Sequence, residues 1–242
     1  EGMLTSTNLK DIHYYKDLFQ LNFSNKHLII LGINDVKKDG NLKIYNSLAI
    51  VDNNLNVLNY YQKNNLVPFG EFLPMENFLS KIGLKIITNN YQSFSKGKER
   101  KIISIKNQNF DLSFLPLICY EIIYSGKLKK TNNFDFIINI SEDGWFGNSI
   151  GPNQHFAHSI FRAVEEGKNI IRSTNNGISA FIGPKGNIIE KTESTQSGVL
   201  EIRNLKQNKE TFFSKNGNNI FFYFLLFYIT LIFFLKINRE IK

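Results

Sequence analysis

The chain holds a single cysteine, Cys119, among its 242 residues. One cysteine excludes an internal disulfide bond, and with four scattered histidines it cannot complete a thiolate zinc site. His155 and His158 lie three residues apart, but such a pair without a third ligand is more often structural. We therefore expect no metal centre and no other cofactor.

Long blocks of one charge are also absent. The formal net charge is +8, yet no run of five or more Lys and Arg occurs; the densest stretches are "KGKERK" (96–101) and "KLKK" (127–130). There is also no pattern of aromatic and basic residues that reads RNA. These absences argue against a nucleic-acid partner.

A recognisable targeting signal is missing at the start, which is Glu1, with the first Met at position 3. We interpret the chain as the C-terminal part of a longer, N-terminally truncated protein. Its 42% hydrophobic content suffices for one substantial core.

What the sequence does contain is one long apolar run, "IFFYFLLFYITLIFFL", at 220–235. Sixteen helical residues cover ~24 Å of a hydrocarbon core of ~30 Å, and Ile237 extends the span if Lys236 reaches toward the headgroups. The run is apolar on all faces, which argues against a buried core helix. The basic residues of the tail 238–242 predict a cytoplasmic end.

The preceding residues alternate strand-like and helix-like patterns, which predicts an α/β domain over residues 1–204 and a polar linker over 205–219. We predict strands at 28–34, 46–52, 56–61, 101–106, 110–118, 134–141, 169–174, 178–183, 187–192 and 198–203. We predict helices at 8–20, 73–82, 120–130 and 153–167.

Individual candidate residues give weak signals. Cys119 lies where a strand passes into a predicted helix, whose N–H groups favour a thiolate, but an inert buried cysteine is the commoner case. Lys63 leaves a strand end and could stabilise an oxyanion, although most lysines are solvated. Glu71 is either a structural or a pKa-shifted carboxylate, and Glu121 could charge the first turn of a helix.

Taken together, four segments carry a resemblance: "QKNNLVPFGEFLP", "PLICYE", "GWFGNSIGPNQHF" and "IRSTNNGISAFIGPKG". They resemble the apolipoprotein N-acyltransferases, membrane-bound members of the carbon–nitrogen hydrolase (nitrilase) superfamily. The resemblance covers essentially the whole chain. It implies a nitrilase-like α-β-β-α sandwich, followed here by one C-terminal transmembrane helix at 220–237.

The resemblance also implies a Glu–Lys–Cys triad. Cys119 matches the nucleophile, Lys63 the triad lysine, and Glu1 the triad glutamate that in the family follows Trp-Pro. Four further residues match acidic and aromatic positions around that site: Glu71, Glu121, Tyr120 and Trp145.

The implied reaction transfers an acyl chain from a phospholipid, with phosphatidylethanolamine expected, to the amino group of the diacylglyceryl-cysteine of apolipoproteins through a cysteine thioester. The implied location is the bacterial inner membrane, with a monomeric catalytic domain in the periplasm. Two alternatives stay open: a membrane-tethered amidase or nitrilase that hydrolyses C–N bonds, and a non-catalytic lipid-binding fragment.

Overall fold

The computed structural model describes residues 4–75, 93–126, 128, 134–194, 196–203 and 209–240. Within these residues, the strands are β1 (Leu4–Asn8), β2 (Ile29–Asp39), β3 (Asn41–Val51), β4 (Val57–Gln62), β5 (Ile103–Lys106), β6 (Asp111–Ile118), β7 (Phe136–Glu142), β8 (Asn169–Asn175), β9 (Ala180–Ile182) and β10 (Ile188–Lys191). The α-helices are α1 (Lys16–Asn22), α2 (Gly151–Glu166), α3 (Phe212–Asn216) and α4 (Asn219–Glu240), and 3-10 helices cover Leu9–Tyr15, Cys119–Ile123 and Asp143–Phe146.

The strands form two sheets. One has the order β1-β2-β3-β4 and the other the order β10-β9-β8-β7-β6-β5. Strands β6, β7 and β8 are parallel neighbours, with Ile118 opposite Ile140 and Glu142 opposite Asn175. Since the carboxyl ends of parallel strands meet at one edge, the residues that follow β6, β7 and β8 are gathered there.

Three apolar clusters separate four layers. Between the sheets, Leu48 and Ile50 of β3 pack with Ile118 of β6 and Ile138 of β7. The outer face of the six-stranded sheet packs on α2, with a cluster that includes Leu115, Leu117, Ile137, Phe156, Ala163 and Ile170. The outer face of the four-stranded sheet packs on the first helices, with a cluster that includes Ile12, Phe19, Leu31, Ala49 and Val51. The order of layers is α-β-β-α, as the resemblance implies.

This layering follows from the sequence, because strands buried on both faces read as near-continuous apolar runs. In β3, Leu48 and Ile50 face the other sheet while Ala49 and Val51 face the helices, which is the period of two that a strand requires. The helix α2 has Pro152 in its first turn and ends at Gly167, whose φ of 64° is a left-handed C-cap.

Nine of the predicted strands correspond to β2–β10, and two of the predicted helices correspond to α2 and to the pair formed by Leu9–Tyr15 and α1. The strand predicted at 198–203 is wrong, since those residues join neither sheet. The helix predicted at 120–130 begins as the 3-10 helix Cys119–Ile123, which ends at the extended Tyr124 before Gly126 turns the chain with φ 64°. Residues 127 and 129–130 lie outside the described residues. Most of the helix predicted at 73–82 lies outside the described residues.

The end of the chain is a long helix that is apolar and exposed. Residues Asn219–Ile237 of α4 have a mean hydropathy of 2.4, and the helix is long and apolar enough to cross a membrane. The predicted linker is more structured than expected, because α3 forms within it with Thr211 as N-cap and Gly217 as C-cap. The N-terminal end of α4 contacts the domain, since the Asn218 side chain donates to the Ser125 carbonyl at 3.2 Å.

Candidate active site

Cys119 lies directly after β6, at the edge of the sheet where the parallel strands end. Its side chain is buried and its φ is +49°, in the left-handed region that is costly for a residue with a Cβ. The expected strand-to-helix junction is present, but the helix is a five-residue 3-10 helix. Any effect of its dipole on the thiol is therefore smaller than a long helix would give.

Glu121 joins the backbone next to Cys119 to the backbone next to Lys63. Its carboxylate is completely buried and accepts four hydrogen bonds, from the Ile118 N–H at 2.9 Å, the Asn64 and Asn65 N–H groups at 3.0 Å each, and the Tyr61 hydroxyl at 2.7 Å. Burial and the neighbouring Glu121 carboxylate raise the pKa of Tyr61, so its hydroxyl stays a donor. Glu121 lies in the first turn of the 3-10 helix, as predicted, and its hydrogen bonds also connect the end of β6 to the chain that follows β4.

Lys63 is buried and forms an ion pair with Glu71. Its Nζ lies 2.8 Å from Glu71 Oε1 and donates a hydrogen bond to it. Glu71 also accepts from Asn46 Nδ2 at 2.9 Å and from the Val67 N–H at 2.8 Å. The solvated-lysine interpretation of Lys63 is therefore wrong, and Glu71 is held in place by three donors.

The segment 93–100 runs alongside Lys63. The Gly97 N–H donates to the Lys63 carbonyl at 2.8 Å, and a Cβ at Gly97 would collide with the carbonyl oxygen of Gln62. Glycine is needed here because two stretches of backbone approach each other closely.

The remaining predicted residues have different surroundings. Glu1 lies outside the described residues. Tyr120 is half-buried with its ring 5.6 Å from that of Tyr124, and burial, followed by Tyr124, raises its pKa. Trp145 lies in the 3-10 helix Asp143–Phe146 and is 81% exposed. Ile150, which follows in the same loop region, is exposed as well. So are Phe69 and Met75 in the loop that follows Lys63.

A buried polar network beneath Cys119 is not predicted from the sequence. Arg172 Nη2 donates to Asp143 Oδ2 at 2.8 Å, the Ser141 hydroxyl donates to Asp143 Oδ1 at 2.7 Å, and His155 Nδ1 lies 2.8 Å from the same Oδ1. His155 Nε2 lies 3.2 Å from the carbonyl oxygen of Cys119. One signal was available, because a charged Arg172 directly after the apolar pair Ile170 and Ile171 of β8 needs a buried partner.

The ionised form of Asp143 is favoured by this network. Burial opposes ionisation, but hydrogen bonding from His155 and the charge of Arg172 outweigh it and lower the pKa of Asp143. Burial, followed by the charges of Arg162 and His155, lowers the pKa of His158, the other helix histidine. In the part of the chain that the structure describes, no three His, Cys, Asp or Glu side chains are grouped so as to hold a metal ion.

The sequence matches the family model of the carbon–nitrogen hydrolases over residues 9–204, which is most of the chain. The chain belongs to the carbon–nitrogen hydrolase family. Similar solved structures agree at the level of the fold: a mutant of the amidase from Nesterenkonia sp. AN1 matches with a TM-score of 0.52 and 14% identity, over 80% of this chain and 68% of that one.

The similar curated proteins are named apolipoprotein N-acyltransferase. The protein from Rickettsia prowazekii is 38% identical over 88% of this chain and 44% of its own length. The protein from Wigglesworthia glossinidia brevipalpis is 38% identical over 88% of this chain and 42% of its own length. The chain thus spans less than half the length of these relatives.

Proposed function

We propose that the protein is the catalytic part of an acyltransferase that modifies lipoproteins through a thioester on Cys119. The observation that carries the proposal is the buried Cys119 with its positive φ. Next to it, the Glu121 carboxylate connects the Ile118 N–H, which precedes Cys119, to the Asn64 N–H, which follows Lys63. The two relatives named apolipoprotein N-acyltransferase support the acceptor class. The Nesterenkonia amidase, whose active site cysteine carries the acetamide moiety of fluoroacetamide, supports a covalent role for the cysteine in this fold.

In the first step, the Cys119 thiolate attacks the ester carbonyl of a phospholipid, with phosphatidylethanolamine as the proposed donor. The Lys63 ammonium and the Tyr120 N–H stabilise the tetrahedral oxyanion. As it collapses, the ester C–O bond breaks, the lysophospholipid leaves with a proton, and an S–acyl bond remains. In the second step, the amino group of a diacylglyceryl-cysteine attacks the thioester, which yields an amide and regenerates the thiol.

Glu1 is the proposed proton carrier in both steps. The two buried acids near Lys63 are less suited to this role, because Glu121 accepts four hydrogen bonds and Glu71 accepts three, including that from Lys63. We infer that Glu71 sets the position of Lys63 and that Glu121 sets the spacing of the two strand ends.

The lipid substrate is supported by the apolar surface near the site. The helix Asn219–Ile237 provides a membrane anchor, and the exposed side chains of Phe69, Met75, Trp145 and Ile150 lie on loops that follow or adjoin site residues. Exposed apolar side chains of this size commonly mark a contact surface for lipid or protein.

We assign the catalytic domain to residues 1–204, the connection to 205–219, the span to 220–237 and the cytoplasmic tail to 238–242. The basic tail favours a catalytic domain on the periplasmic side of the bacterial inner membrane, and we propose that this domain is a monomer.

The test uses the protein in vesicles of phosphatidylethanolamine with a synthetic diacylglyceryl-cysteine peptide. The proposal predicts an added acyl chain on the peptide, and none on a matched peptide whose amino group is acetylated. Release of ammonia from small amides without any acyl transfer would instead support the amidase alternative, which the fold also allows. Absence of both reactions would support the non-catalytic alternative.

A further inference from the structure

His155 contacts the backbone carbonyl of Cys119, the proposed nucleophile. The helix α2 brings His155 to the edge of the sheet, where its Nε2 lies 3.2 Å from the Cys119 carbonyl oxygen and its Nδ1 lies 2.8 Å from Asp143 Oδ1. Asp143 is held in turn by Arg172 Nη2 and the Ser141 hydroxyl. The side chains of these four residues are buried, and we call them the His155 network.

The chemistry of the acceptor fixes the direction of the hydrogen bond between His155 and Cys119. The Cys119 carbonyl can only accept, and so can the ionised carboxylate of Asp143. His155 Nε2 therefore donates to the Cys119 carbonyl, while Nδ1 lies against Asp143 Oδ1. Arg172 Nη2 lies 3.2 Å from Nδ1 because the guanidinium and the imidazole converge on one carboxylate.

A hydrogen bond to the Cys119 carbonyl oxygen also fixes the direction of the Tyr120 N–H. In a trans peptide, the C=O of one residue and the N–H of the following residue lie in one plane and point in opposite directions, and no cis peptide occurs among the described residues. The Cys119 carbonyl points at His155, so the Tyr120 N–H points away from α2. The Tyr120 N–H is the backbone donor proposed above for the oxyanion, so its direction bears on the acylation step.

The backbone at Cys119 needs this support. A φ of +49° is strained at a residue with a Cβ and persists only where the surroundings hold it. On the far side of the peptide, Glu121 holds the Ile118 N–H at 2.9 Å. His155 and Glu121 thus fix the turn from opposite flanks of the nucleophile.

We propose that His155 is a positioning residue, which orients the Cys119–Tyr120 peptide so that the Tyr120 N–H meets the oxyanion of the acylation step. The inference rests on the proposed function, because it needs Cys119 to be acylated. The competing account is that the network matters only for folding, since removing one partner of a buried charged network is destabilising in itself.

Two reactions of Cys119 separate these accounts. Acylation by p-nitrophenyl butyrate passes through an oxyanion: the sulfur bonds to the carbonyl carbon and p-nitrophenolate leaves. Alkylation by iodoacetamide has no oxyanion, because the sulfur displaces iodide from a saturated carbon. A lost oxyanion donor slows only the first reaction, typically by about 100-fold or more. A disordered or misfolded site slows both.

The variants differ in how far the side-chain amide nitrogen extends from the backbone. In His155→Gln, the amide nitrogen occupies about the place of Nε2 and can donate to Cys119; in His155→Asn, it occupies about the place of Nδ1 and can donate only to Asp143. With the whole chain in detergent micelles, we expect acylation to fall about 100-fold in His155→Ala and His155→Asn and to recover at least tenfold in His155→Gln. Alkylation should stay within about threefold of the wild type throughout.

Equal acylation rates for the Gln and Asn variants, or parallel losses in acylation and alkylation, would overturn the positioning role, and this comparison decides even if His155→Ala does not fold. A wild-type protein that p-nitrophenyl butyrate does not acylate would instead remove the Cys119 thioester, and with it the proposed function. Acylation by p-nitrophenyl butyrate but not by phosphatidylethanolamine would leave the positioning role standing and change only the donor.

Discussion

The buried charges of Lys63 and Glu71 stabilise the fold only when both are present. Both side chains are shielded from water and their charged atoms are 2.8 Å apart, so the loss of one partner leaves the other charge without compensation. Desolvation makes such a remaining charge costly, whereas an exposed pair gains little in the first place. The chain offers an exposed pair for comparison, Lys106 with Asp111 at 3.1 Å.

We predict that Lys63→Met lowers the free energy of unfolding by about 3–5 kcal/mol, because the buried Glu71 carboxylate loses its ion-pair partner. The double variant Lys63→Met/Glu71→Gln should recover most of this loss but remain unable to form the acyl adduct. The control Lys106→Met should unfold like the wild type. Urea titration followed by circular dichroism in detergent measures all three, and a Lys63→Met protein as stable as the control would contradict the assignment.

Asp143 makes stability depend on pH. Its pKa in the folded protein is lowered, so its contribution is fully present above the unfolded value near 3.8 and is lost as pH falls through the folded value. We predict that Asp143→Asn is less stable than the wild type at pH 7 and that the difference shrinks below about pH 4. Unfolding titrations at pH 7, 5 and 3 test this; a difference that stays constant across them would be inconsistent with an ionised, stabilising Asp143.

At the scale of elements, a glycine contact joins the proposed membrane helix α4 to the domain. Gly217 lies between α3 and α4 with φ 54°, and a Cβ there would lie 2.8 Å from the Gly126 carbonyl oxygen. Gly126 follows the 3-10 helix that begins with Cys119. The start of the span is therefore held against the loop that leaves the nucleophile.

We predict that Gly217→Ala lowers the thermal stability of the domain more than Gly40→Ala does. Gly40 has φ 72° but nothing within 4 Å of a Cβ, so its substitution costs only the backbone strain of about 1 kcal/mol. At Gly217, steric overlap with Gly126 adds to the same strain. Thermal unfolding by circular dichroism compares the two, and equal transition temperatures would show that the contact is unimportant.

Most strands were predictable because their two buried faces leave continuous apolar runs, as in β6 and β7. Alternation alone did not reveal whether a neighbouring strand exists, which is why 198–203 was wrongly predicted. The short, polar β1 was missed because its parallel pairing with β2 leaves no local pattern.

The candidate site was predictable only in part. The strand end at Cys119 is visible in the sequence, and the acids around it were named through the resemblance. The bond between Asp143 and Arg172 joins positions 29 residues apart. No local pattern connects such positions, so the His155 network emerged only from the fold.

For the whole molecule, the anchor and the catalytic domain imply a fixed orientation. In a Cys119→Ala background, we expect a membrane-impermeant maleimide added to spheroplasts to label Ser214→Cys, before the span, and to leave Lys236→Cys unlabelled until the membrane is permeabilised. These positions flank the apolar segment of α4, so opposite labelling reports opposite sides. The reverse pattern would place the domain in the cytoplasm and contradict the proposed location.

The central claim is that Cys119 carries an acyl group. Intact-mass measurement after incubation with phosphatidylethanolamine vesicles tests it most directly, since one acyl chain adds a defined mass. The account predicts a single adduct that peptide mapping places on Cys119, that hydroxylamine removes as it does a thioester, and that a Cys119→Ala variant does not form. A wild-type protein without an adduct, or an adduct that persists in Cys119→Ala, would contradict it.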